Sequence, residues 1–145
     1  VIAQRLLRRL CPDCRSAHAP TWMYRFDQAP PLMKLLGIGA SHATELPYVF
    51  GTLPDRLSEK KALQFRLGGL KEARQISQRM MARWLSFART ADPVTVDSET
   101  GQDLAWPRYD EKTRSTLIIN GTDTIENDPD GDIRKAWGEE VLGFK

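Results

Sequence analysis

Between Leu70 and Thr90 the apolar residues recur at helical spacing, and this stretch constrains the fold more than any other. Ala73, Ile76, Met80, Trp84, Phe87 and Ala88 fall on one face, whereas Lys71, Arg74, Arg79, Arg83 and Arg89 fall mostly off it. A helix with one broad apolar face needs another layer to cover that face. The Met and aromatic stripe therefore reads as core packing and not as a cofactor box. Asp92-Pro93 closes the segment, because proline shortly after a helix cannot continue it.

The covering layer is legible upstream. In TWMYRFD (21–27), Trp22, Tyr24 and Phe26 alternate with Met23 and Arg25, the period of a strand with one aromatic face. Val1 to Leu10 reads as the end of a helix, with Ile2, Leu6, Leu7 and Leu10 at helical spacing, and Cys11 to Pro20 as a connection. After the strand come a proline-rich crossing (Gln28 to Pro31) and a glycine-rich stretch. ATELPYVF then predicts a short, mostly buried helix or turn closed by Gly51. Residues 52–70 are polar and irregular, broken at Gly68-Gly69, and 94–105 read as a polar loop. WPRY (106–109) is an anchor, and TLIINGTDTIE (116–126) a hairpin or short strand around Asn120-Gly121. Asp128-Pro129-Asp130 supplies caps and acidic first-turn residues for a last helix near Ile133 to Val141. Strand and helices together predict an α/β class.

A chain of 145 residues, 41% hydrophobic and 28% charged, has the balance of a globular protein and not of a disordered one. No apolar run is long enough to span a bilayer, and VIAQRLLRRL lacks the apolar segment and cleavage site of a signal peptide. A start at Val1 is expected of a processed product or a piece of something longer. Residues 1–91 carry 15 basic against 6 acidic side chains, and residues 92–145 carry 6 against 13. The arginines of the basic half sit beside apolar stripes, without glycine and aromatic motifs for bases, so nucleic acid is not the expected partner.

Two places carry chemistry-bearing side chains. Cys11 and Cys14, with His18 beyond, offer three metal-capable groups where a structural zinc site wants four. Incidental thiols, a disulfide or redox pair, and a partial metal site all remain open there. The other place is GASHATELPYVFG (39–51). His42 follows small residues that let a loop approach closely, and it lies beyond a sheet strand, where open α/β sheets hold their chemistry. Its imidazole exchanges a proton near neutrality. From residues alone, a structural histidine and a catalytic base both remain open.

GASHATELPYVFG is similar to the histidine segment of the type B carboxylesterases, the cholinesterase-like α/β-hydrolases. There the pattern is Gly-x-x-His-(Gly/Ala)-x-Glu-Leu before an aromatic-rich stretch ending in Phe-Gly. TWMYRFD resembles the family's strand before that loop, RMMARWLSFARTADP its long helix, WPRYD its Trp-Pro-x-Tyr, and ENDPDGDIRKAW its terminal segment. The resemblance covers essentially the whole chain but only the last quarter to third of the family's domain. It implies that residues 1–145 are the C-terminal segment of a single α/β-hydrolase domain, with a late sheet strand, histidine loop, long helix, terminal hairpin and helix.

The resemblance also makes His42 the general base of a Ser-His-Glu/Asp triad acting on a small-molecule ester, with no cofactor or metal. Glu45 matches the family's Glu after the histidine and is expected to be a helix-start carboxylate and loop brace, with Ser41 as loop support. Ala43 departs from the more common Gly. No Gly-x-Ser-x-Gly occurs: Ser16, Ser41, Ser58, Ser77, Ser86, Ser98 and Ser115 all lack the two flanking glycines, and no HGGG-like run supplies an oxyanion hole. The nucleophile and triad acid are therefore expected in a missing N-terminal part of the same domain, without which the piece is inactive and prone to associate through its open strand edge. The alternative of a different class is a non-catalytic, cholinesterase-like binding or adhesion domain.

Overall fold

Trp22, Tyr24 and Phe26 are buried while Met23 and Arg25 between them are half-buried, so the alternation seen in the sequence becomes one aromatic face on strand β1 (Met23–Phe26). The computed structural model describes residues 20–55, 60–93 and 106–137. The helix read at Val1–Leu10, the residues Cys11, Cys14 and His18, the loop at 94–105 and positions 138–141 of the last helix lie outside them.

β1 pairs in parallel with β2 (Ser115–Ile119), Tyr24 opposite Leu117 and Phe26 opposite Ile119. Parallel pairing needs a long crossover, and the stretch between these strands contains the long helix. β2 turns through Asn120-Gly121, as the sequence predicts, into antiparallel β3 (Thr124–Asn127). The strand order is β1-β2-β3, and β2, central, is buried along its whole length.

Five helical pieces accompany the sheet. Helix α1 (Pro31–Leu35) occupies what reads as a plain crossing; Pro31 starts it because its fixed φ suits the first helical position and its missing N–H is not needed there. Helix α2 (Leu46–Val49) follows the His42 loop. A 3-10 helix (Lys60–Phe65) lies within the stretch expected to be irregular, and it plants the fully buried Ala62 and Phe65 in the core. Two buried side chains in so short a polar segment give no usable periodicity. Helix α3 (Leu70–Thr90) matches its predicted span, and helix α4 (Gly131–Trp137) follows Asp130.

The core forms where α3 meets the aromatic face. Ala73, Ile76 and Met80 are fully buried, and the helix continues with Trp84 edge-on to Tyr24 (5.1 Å) and Phe87 edge-on to Trp22 (5.6 Å). Trp106 adds its ring beside Trp84, and the two buried indoles exchange hydrogen bonds with the opposite backbone: Trp22 Nε1 donates to the Trp106 carbonyl (3.1 Å) and Trp106 Nε1 to that of Met23 (3.0 Å). Each such tryptophan thus contributes area without leaving its N–H unsatisfied.

Two positions on α3 differ from the predicted stripe. Ala88 is exposed, because Phe87 is the last side chain of the helix to reach the sheet. Arg83, expected off the face, is buried. Its guanidinium donates to Asp123 Oδ2 at 2.6 Å, and Arg79 reaches both Asp123 oxygens at 3.2 Å and the carbonyls of Asn120 and Gly121. Asp123, 4% exposed beside a 7% exposed Arg83, therefore pins the hairpin turn to the middle of α3. On the other side of the sheet, Arg25 bonds to Asp27 (2.8 Å) and Asp130 (3.3 Å), tying β1 to the start of α4.

Removing one member of a buried ion network leaves its partners charged and dry, which costs more than the intact network contributes. Asp123→Ala is therefore expected to destabilise the fold by about 3–5 kcal/mol, read from the midpoint of a urea titration; a midpoint within error of the parent would show that the turn is held otherwise.

Candidate functional site

The chain reverses direction after α1 through two left-handed glycines, Gly37 (φ +68) and Gly39 (φ +62), with the N–H groups of Ile38 and Gly39 both directed to the Met33 carbonyl. Ser41 then opens a run of tight turns. Its carbonyl accepts from Thr44 Oγ1 at 2.8 Å and from the Thr44 N–H at 3.3 Å, and its own N–H reaches Thr44 Oγ1 at 3.3 Å. The Leu46 N–H closes the next turn on the Ala43 carbonyl (3.3 Å). The result is a loop that holds His42 outward and Glu45 inward.

His42 is exposed, at the rim of an open depression of about 290 Å³. Ala40, Ser41, Ala43 and Glu45 complete the loop side, and Tyr24 and Phe26, from the C-terminal half of β1, form the wall opposite. The structure thus brings the three expected residues, Ser41, His42 and Glu45, together in one cleft. Tyr24 and Phe26 were not legible as lining residues, because the alternation that marks them as core is the same whether or not the strand's end is left uncovered. Among the described residues no group of three or more His, Cys, Asp or Glu side chains is placed to hold a metal ion. No helix there is long and apolar enough to cross a membrane.

Glu45 departs from its expected part. It occupies the N-cap position of α2, yet its backbone is already helical (φ −78, ψ −20) and its carboxylate makes no cap hydrogen bond. A capping side chain bonds the second or third helical N–H from an extended backbone, and the second position here is Pro47, which has no N–H to offer. Instead Glu45 is 4% exposed and its Oε1 is buried without a hydrogen-bond partner among the described residues.

Helix α2 also buries less than ATELPYVF suggests. Tyr48 alone is buried, its ring against Phe26 at 5.0 Å, while Leu46 is exposed and Phe50 is 70% exposed. A single turn of helix has one side facing α3, so its other apolar side chains point out. The strap across that side is Ser77, which donates from Oγ to the Tyr48 carbonyl at 2.7 Å. Sequence reasoning missed it, although a serine between Ile76 and Met80 on an apolar stripe is the available signal. Burial pushes the phenols of Tyr24 and Tyr48 up to about 12, helped by the negative charge of Glu45 near the first and Glu72 near the second.

Ala43 has φ +63, in the left-handed region. An L side chain there is strained and glycine is not, which is a physical reason for glycine to be common after the histidine.

Comparison with known proteins places these features in a family context. A sequence model of the carboxylesterase family matches residues 4–136. The para-nitrobenzyl esterase of Bacillus subtilis (strain 168) is 38% identical over 128 residues, covering 85% of this chain and 22% of its own; the acetylcholinesterase of Electrophorus electricus is 30% identical over 113 residues, covering 77% and 16%. Among solved structures, a PNB esterase superposes with a TM-score of 0.65 at 38% identity, over 84% of this chain and 22% of that one. The Geobacillus stearothermophilus carboxylesterase EST55 superposes with a TM-score of 0.63 at 32% identity, over 85% and 23%. The chain spans about a fifth of the length of these relatives.

The strain at Ala43 sets one expectation: Ala43→Gly raises stability by about 0.5–1 kcal/mol, the relief of a left-handed Cβ less the added freedom of the unfolded chain. A denaturation midpoint that falls would refute it. The tyrosines set another. Their folded pKa values lie above the ordinary 10.0, so their contribution to stability is full below pH 10 and is lost as pH rises through about 12. Denaturant midpoints should decline across that window together with a late rise in tyrosinate absorbance.

Proposed function

The chain belongs to the carboxylesterase family, and from that premise we propose that it supplies the general base of a serine ester hydrolase, His42, to an active site completed by the rest of the same domain. The observation that carries this reading is the placement of the imidazole. It stands exposed at the rim of a cleft walled by the end of β1, on a loop built to hold it there. A packing histidine would be enclosed by apolar side chains; this one is not.

The chemistry is acyl transfer to a serine and then to water. His42 takes the hydroxyl proton as the serine oxygen attacks the ester carbonyl, and returns it to the departing alcohol. In the second half it takes a proton from water, which attacks the acyl-enzyme, and returns it to the serine. A carboxylate from elsewhere holds the imidazole in the tautomer that accepts at the reacting nitrogen. Neither the serine elbow nor that acid occurs in residues 1–145, so the segment alone is inactive, and the substrate is a small-molecule carboxylic ester bound largely by the remainder.

In the complete protein, His42→Ala is expected to lower kcat/KM for a simple aryl ester by about 10⁴-fold or more, with an unchanged denaturation midpoint because the side chain is exposed. Turnover at the parent rate would overturn the assignment of the base.

A further inference from the structure

One buried titratable group beside His42 has no part in the steps above. Glu45 is 4% exposed, lines the same depression as His42 and has its Oε1 without a hydrogen-bond partner among the described residues. It does not cap α2. Leaving a buried carboxylate oxygen without a donor costs stability, and native structures rarely leave one so. Its backbone is nonetheless well used. The Glu45 carbonyl accepts from the N–H groups of Tyr48 and Val49 (2.9 and 3.0 Å), so the residue joins the His42 turns rigidly to α2, which Ser77 straps to α3.

We propose that Glu45 is a positioning residue: its Oε1 accepts a hydrogen bond from an N–H or O–H of the segment that carries the nucleophile, and this tie fixes the His42 loop against that segment. The inference rests on the proposed role of His42. Three positions separate the two residues across consecutive turns, so whatever holds Glu45 sets the height and tilt of His42. A displacement of about 1 Å at a reacting centre lowers a rate by about 10²-fold, and one hydrogen bond at the base of a short loop is enough to prevent it. A brace internal to the loop would need a donor within the loop; the N–H groups available there go to Thr44, Ser41, Ala43 and Glu45's own carbonyl.

The test uses the complete enzyme and three variants. Glu45→Leu removes the acceptor, Glu45→Asp withdraws it by one methylene, and Glu45→Gln keeps an accepting oxygen at the same reach without the charge. Expected are a loss of kcat of about 10²-fold for Leu and about 10-fold for Asp, with KM moved less than about threefold, and Gln within about threefold of the parent in both. A purely structural role would lower the denaturation midpoint and leave kcat of the folded fraction unchanged, and that result overturns the proposal. So does a parent-like kcat in Glu45→Asp, which holds even if the Leu variant does not fold, and so does a Gln variant as impaired as Leu, which would assign the effect to charge. If His42→Ala remains active, the reading of the base has failed; if it is inactive and the Glu45 variants are parent-like, only the tie has failed.

Discussion

The contact between the aromatic face of β1 and helix α3 is the constraint from which the rest of the described structure follows. Trp22, Tyr24 and Phe26 present three rings in a row, and Phe87, Trp84 and Tyr48 meet them edge-on in the same order. Edge-to-face pairs favour particular offsets as well as burial, so they define where the helix lies along the strand. The reciprocal indole bonds between Trp22 and Trp106 then bring in the chain before β2, and β2 falls into parallel register beside β1. With β2 placed, the hairpin turn reaches α3, and Asp123 meets Arg79 and Arg83.

That packing also positions the cleft. The aromatic row ends in Tyr24 and Phe26, and because α2 covers Phe26 with Tyr48 alone, the end of the strand stays open on one side. The His42 loop crosses there. It is rigid for local reasons: left-handed residues at Gly37, Gly39, Ala43 and Gly51 reverse the chain at each corner, and the Ser41–Thr44 bonds close it internally. A rigid loop at the C-terminal end of a strand is where an α/β sheet presents reactive groups, and the relatives that match this chain over most of its length are named as esterases.

Legibility varied with the length over which a pattern repeats. α3 could be read within its bounds because six turns of apolar spacing outweigh any single exception, and the hairpin because Asn-Gly between apolar runs has few other uses. α1, the 3-10 helix and the outward side of α2 were misread because each is a turn or two, too short for a period to separate itself from composition. Arg83 was misplaced for another reason: a buried arginine is acceptable only with its partner, and Asp123 lies 40 positions away along the chain. Glu45 was read as a cap from its place before a short helix, and the backbone angles and Pro47 decided otherwise.

By itself the sequence determined the periodicities, the aromatic strand face, the helix that covers it and the histidine segment whose order of residues resembles one family, since all of these are local or repeat along the chain. Tertiary structure alone decided which side chains share the cleft with His42, that Glu45 is buried and uncapped, and that the hairpin is pinned by an ion pair. Those depend on which distant segments meet, and a one-dimensional pattern holds no record of the distance between them.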